Sequence, residues 1–139
     1  MKQKPKLNIA WITSGFYADE NDMQGAPAIF DLAKEISVDP DITLTVFSLY
    51  YPYSVNEYIL NNIKVYSFFN KPLKKLTAFN KLKVWRALRD KFSSVHNIEK
   101  FGLVHSFWAG EPGYNAAKLC KKQGIPLAAN ICGGELASI

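Results

Sequence analysis

The chain has 139 residues, 48% of them hydrophobic and 21% charged, with a net charge of +5. This composition excludes the disordered and collagen-like classes, and the length suits one domain that buries roughly two-thirds of its unfolded surface. The apolar run Leu7–Ile12 is too short for a signal peptide, and no stretch is long and apolar enough to span a bilayer.

Cys120 and Cys132 lack metal-ligand spacing and fit a reducing compartment, so the expectation is a cytoplasmic protein that needs no metal and no cofactor.

In chain order, Leu7–Thr13 is a short apolar run closed by Ser14-Gly15 and predicts a buried strand. Ile29, Leu32, Ala33 and Ile36 recur at helical spacing, which predicts a helix over Ala28–Ile36 with Pro27 suited to its first turn. Thr43–Leu49 reads as a second strand, Val55–Leu60 as a short helical piece, and Ile63–Phe69 as a third strand. A basic helix is expected over Phe79–Val95, with Leu82, Trp85, Leu88, Phe92 and Val95 within an arc of about 140°. Leu103–Phe107 is a fourth strand and Tyr114–Gln123 a helix capped by Gly124. Pro126–Ile131 makes a fifth strand. The alternation implies an α/β fold, a single Rossmann-like domain with a doubly wound, mainly parallel sheet.

Ligands of such sheets bind at the carboxyl ends of the strands, near the switch in strand order. Three loops fall there. In the first, Gly15 permits a sharp exit from the strand, and Gln24, Gly25 and Ala26 open the helix with little bulk. Free amides at that helix start suit a phosphate or diphosphate, the alternative being an ordinary mobile loop. Neither a P-loop nor a Gly-x-Gly-x-x-Gly pattern is present, so NAD and FAD are not indicated. In the second loop, Trp108, Gly110 and Glu111 offer an indole face and a carboxylate beside small residues, which suits a sugar ring. Alternatively, Glu111-Pro112 opens a helix with an acid in its first turn. In the third, Cys132, Gly133, Gly134 and Glu135 set two glycines and an acid at the mouth of the sheet, or form a plain glycine turn into a helix. Glu111 and Cys132 are the catalytic candidates. His105 is either a cleft residue or a satisfied strand histidine, and His96 reads as surface.

Between residues 71 and 91 stand eight basic residues (Lys71, Lys74, Lys75, Lys81, Lys83, Arg86, Arg89, Lys91) against Asp90, a local charge of 8 − 1 = +7. The plain reading is a solvated face whose lysine stems lie over apolar side chains. The sharper reading takes Lys74, Lys75, Lys81, Lys83, Arg86 and Arg89 as contacts to an anionic membrane surface or a phosphorylated acceptor. No nucleic-acid motif accompanies the patch, and nucleic acid is not an expected partner.

Several motifs occur in a specific order: Gln24-Gly25-Ala26-Pro27 with Leu32-Ala33-Lys34-Glu35-Ile36, then Phe101-Gly102-Leu103-Val104-His105, Gly124-Ile125-Pro126, and Cys132-Gly133-Gly134-Glu135. Over nearly its whole length the chain thereby resembles the N-terminal domain of the family 4 (group 1) retaining glycosyltransferases, built from two facing Rossmann-like domains. The family usually has Gly-Gly at Gln24-Gly25, an acid at Gly102, and His-Gly-x-Asp at the last motif. The resemblance implies transfer of a sugar from a nucleotide-diphosphate sugar to a glycan or lipid-linked acceptor. Gly15, Gln24, Gly25 and Ala26 would lie against the donor phosphates. His105, Trp108, Gly110, Glu111, Cys132, Gly133, Gly134 and Glu135 would lie on the acceptor side. Several members of the family work at membranes, which agrees with the basic helix; the expectation is a cytoplasmic protein that can sit peripherally at the inner face of the membrane. The family's C-terminal donor-binding half, with its Glu-x7-Glu motif, is not in this sequence. Residues 1–139 are therefore expected to be the acceptor-side domain, inactive alone. The alternatives are a stand-alone flavodoxin-like binding module and half of another α/β enzyme such as a sugar-nucleotide epimerase.

Overall fold

Both faces of β1 (Leu7–Gly15) are apolar, and a strand of that kind belongs inside a sheet covered on both sides. The computed structural model describes residues 4–131 and places it there. The other elements are α1 (Pro27–Ser37), β2 (Ile42–Tyr51), β3 (Ser54–Leu60), β4 (Ile63–Phe69), α2 (Ala78–Glu99), β5 (Leu103–Phe107), α3 (Glu111–Gln123) and β6 (Leu127–Asn130). A 3-10 turn at Leu73–Lys75 leads into α2. The sheet runs β3-β4-β2-β1-β5-β6, parallel throughout except for β3. The chain is thus a single Rossmann-like α/β domain.

Alternate strand residues feed two cores. Ile9, Trp11, Val46, Val65 and Phe107 pack on Ile29, Phe30 and Ala33 of α1. Ala10, Ile12, Phe47, Leu49 and Val104 pack on Val84, Leu88 and Phe92 of α2 and Leu119 of α3.

Four expectations need correction. Residues 55–60 form a strand, not a helix, because Asn61 and Asn62 take φ of 48° and 63° and close a two-residue hairpin onto β4. The inward stripe of α2 is Val84, Leu88, Phe92 and Val95, while Leu82 is 59% exposed, since one face of the helix meets the sheet off the arc that the sequence marks. His96, expected at the surface, is partly buried and has partners. It stacks on Phe92 and Phe101, and its Nδ1 accepts the Phe101 amide at 3.0 Å. Burial and the nearby Lys100 hold it below the ordinary histidine value. Finally, α3 begins at Glu111, so the loop after β5 is only Trp108-Ala109-Gly110. Cys132, Gly133, Gly134 and Glu135 lie outside the described residues.

Candidate functional site

β1 lies between β2 and β5, and the chain winds away from it in opposite directions, so the carboxyl ends of these strands part to form a crevice. A cavity of about 520 Å3 occupies it. Gly15, Gln24, Gly25 and Ala26 line one wall, and Trp108, Gly110 and Glu111 the facing one. β1 and β2 run two residues beyond their expected ends, which carries Tyr50 and Tyr51 into the cavity wall; Leu73 adds an apolar edge. Sequence reasoning overlooked these three residues.

Consecutive strand residues point to opposite faces, so Tyr50 and Tyr51 reach different loops. Tyr50 turns toward α2 and α3, where its hydroxyl donates to Glu111 Oε2 and accepts from Trp85 Nε1 at 3.1 Å. Lys81 Nζ donates to the other oxygen of Glu111 at 2.5 Å. Burial pushes Glu111 up, but the bonds from Lys81 and Tyr50 outweigh it and hold the carboxyl below its ordinary value. Lys81, expected on the outward basic face, instead pairs with Glu111 of the cleft wall.

Tyr51 reaches the β1–α1 loop, where its hydroxyl lies 2.7 Å from both oxygens of Asp22. Asp22 also accepts the amides of Ala18 and Gln24 at 2.8 Å and of Gly25 at 3.2 Å. Partial burial acts against ionisation, yet these four donors together lower its pKa. Burial first, and then the carboxylate partner, pushes Tyr50 and Tyr51 up, so both stay protonated donors.

The organisation of this loop bears on the phosphate expectation. The Gln24 and Gly25 amides already hold a carboxylate. A Cβ at Gly25 would sit 2.0 Å from the Tyr17 ring, which stacks on Phe30, so close packing accounts for the glycine. The first-turn amides of Ala28 and Ile29 precede the first bond of the helix, Phe30 to Ala26, and lack an intrahelical acceptor. They border a second recess of about 360 Å3, with Asn130 on its far side.

Like Ala26, Trp108 borders both recesses. Its φ of 70° lies in the left-handed region that residues with a Cβ seldom adopt, so the backbone spends some strain to set the indole at the strand end. His105 lines neither recess. Its ring packs on Trp11 and Phe107, and Nε2 lies 2.9 Å from Asn130 Oδ1, a structural placement. Among the described residues no cluster of His, Cys, Asp and Glu could hold a metal, and no helix is long and apolar enough to cross a membrane.

No known protein family matches the sequence, and no curated protein is significantly similar to it. Among solved structures, the fold is similar to two crystal structures of the C-terminal domain of a hydrogenase from Pyrococcus furiosus, covering residues 78–226 and 83–215 of that protein. Their TM-scores are 0.60 and 0.57, each at 14% identity over 94% of this chain and 96% of the other. At that identity the likeness is one of fold.

Proposed function

We propose that this chain is the acceptor-side half of a glycosyltransferase that moves a sugar from a nucleotide-diphosphate donor to a glycan or lipid-linked acceptor at the inner face of a membrane. The observation that carries this reading is the convergence of residues from two separate loops on one cleft at the strand switch. In it, the Trp108 indole stacks on a sugar ring, and the Tyr50–Glu111–Lys81 network exchanges hydrogen bonds with hydroxyls. A donor diphosphate meets the first-turn amides of α1 beyond Trp108, since Asp22 holds the loop amides before them.

Glu111 acts here as a hydrogen-bond acceptor. A carboxylate held below its ordinary pKa by a lysine is a weak base, so proton removal from an acceptor hydroxyl falls to another group. Cys132 remains a candidate for the place where the family usually has His. Transfer needs groups held from both sides of the cleft, so the 139 residues alone bind without turnover. The test is to offer the chain nucleotide-diphosphate hexoses and alkyl glycosides. Millimolar or tighter binding with no transfer is expected. Transfer by the chain alone, or binding of neither class, overturns the reading.

A second reading, a binding module without catalysis, is favoured by the engagement of both Asp22 and Glu111 with protein donors. It predicts that a ligand binds equally well, still without transfer, when a donor-binding α/β half is joined to the chain.

A further inference from the structure

We propose that the outward face of residues 73–86 is a docking surface for an anionic phospholipid bilayer. Leu73, Phe79 and Leu82 enter the lipid, and Lys74, Lys75, Lys83 and Arg86 meet the headgroup phosphates. Phe79 is 65% exposed, Leu82 59% and Leu73 50%. These side chains are not spare members of the core stripe, because Val84, Leu88, Phe92 and Val95 already fill it. At about 100° per residue, Phe79, Leu82, Lys83 and Arg86 share an arc of about 100° on the side of α2 opposite Leu88. Large apolar groups and cations are therefore interleaved on one solvent face, and Lys83 Nζ lies 4.5 Å from the centre of the Phe79 ring.

Charge chooses the occupant. The segment from Lys71 to Lys91 contains eight cations and one acid, Asp90, which calls for a strongly anionic partner. Apolar side chains among the cations choose between anions. A soluble polyanion gives Phe79 and Leu82 nothing to enter, whereas a bilayer takes them below the level of its phosphates. Lys81, one turn inside, is committed to Glu111 and does not take part.

Leu73, half exposed and only six residues ahead of Phe79, also lines the cleft wall, which brings the proposed surface up to the cleft mouth. An acceptor whose lipid tail stays in the bilayer can then present its head group to Trp108 and Glu111. This last clause rests on the proposed sugar transfer, whereas the docking does not.

The experiment is flotation of the chain with vesicles of phosphatidylcholine alone or mixed with phosphatidylglycerol, across a salt series. The wild type is expected to float with the mixed vesicles only, and less as salt rises. The double variant Phe79→Ser/Leu82→Ser is expected to bind about tenfold or more weakly with an unchanged melting temperature, since both side chains are exposed. Lys74→Gln/Lys75→Gln/Lys83→Gln is expected to abolish flotation. Absence of wild-type flotation, or a Phe79→Ser/Leu82→Ser variant that floats like the wild type, overturns the proposal; the second result would mean that charge alone is at work. If sugars fail to bind while flotation succeeds, the sugar-transfer reading falls and the docking surface stands.

Discussion

The Tyr51 hydroxyl lies 2.7 Å from each carboxylate oxygen of Asp22 and so fastens the end of β2 to the loop that leaves β1. Asp22 gathers three loop amides as well, which makes this one contact the pin of the whole near wall of the cleft. Tyr51→Phe is expected to cost about 1 kcal/mol, the usual size of one partly exposed hydrogen bond. It should also speed amide hydrogen exchange at Ala18, Gln24 and Gly25. Denaturant unfolding and exchange rates check the two effects, and unaltered exchange would show that the amides hold the loop without Tyr51.

Gly25 tests what shapes the same loop. A methyl group there meets the Tyr17 ring at 2.0 Å, and that ring cannot move without leaving Phe30. Gly25→Ala is expected to destabilise by about 1–3 kcal/mol, the range for overpacking. Thermal unfolding with and without ligand separates packing from binding: a variant as stable as wild type but deficient in phosphate binding would restore the glycine's role as a ligand contact.

His96 gives the fold a pH dependence. Folding holds its pKa below the ordinary value, so the unfolded chain binds the proton more readily. Its contribution is therefore fully present above about pH 6.5, the unfolded value, and is lost as pH falls through the lower folded value. Cation formation also removes the Nδ1 acceptor of the Phe101 amide. His96→Phe keeps a ring between Phe92 and Phe101 and is expected to be less stable than wild type near neutrality. It should lose less on acidification to about pH 5. Parallel slopes for the two proteins would contradict this account.

Ser106 is buried, and its hydroxyl has no hydrogen-bond partner among the described residues. Ser106→Ala removes an unpaired polar group and is expected to be neutral or stabilising by about 1 kcal/mol. A clear loss of stability in denaturant unfolding would contradict this account.

Much of the fold could be read from hydrophobic period alone. Ile63–Phe69 and Leu103–Phe107 have the bounds expected of them, because β-branched and aromatic runs bordered by turn residues leave little choice. Val55–Leu60 misled because its exposed Val55 and Ile59 lie on an edge strand, where the inward period is weak; the Asn61-Asn62 pair was the better signal. In the cleft, glycines, Trp108 and Glu111 could be picked out by their place after strands. Their partners could not. Tyr50 and Tyr51 look like strand residues, and Lys81 looks like one cation among eight until α2 folds back over Glu111. Asp22 had a local signal, in the turn chemistry of an aspartate three residues before a glycine.

Whether this cleft receives a sugar nucleotide is decided by residue-resolved NMR titration of the chain with nucleotide-diphosphate hexoses. Saturable shifts are expected at Gly25, Ala28, Ile29 and Trp108, including the Trp108 indole N–H, and these should vanish in Trp108→Ala. No saturable shift at millimolar concentrations, or shifts centred away from these residues, would contradict it.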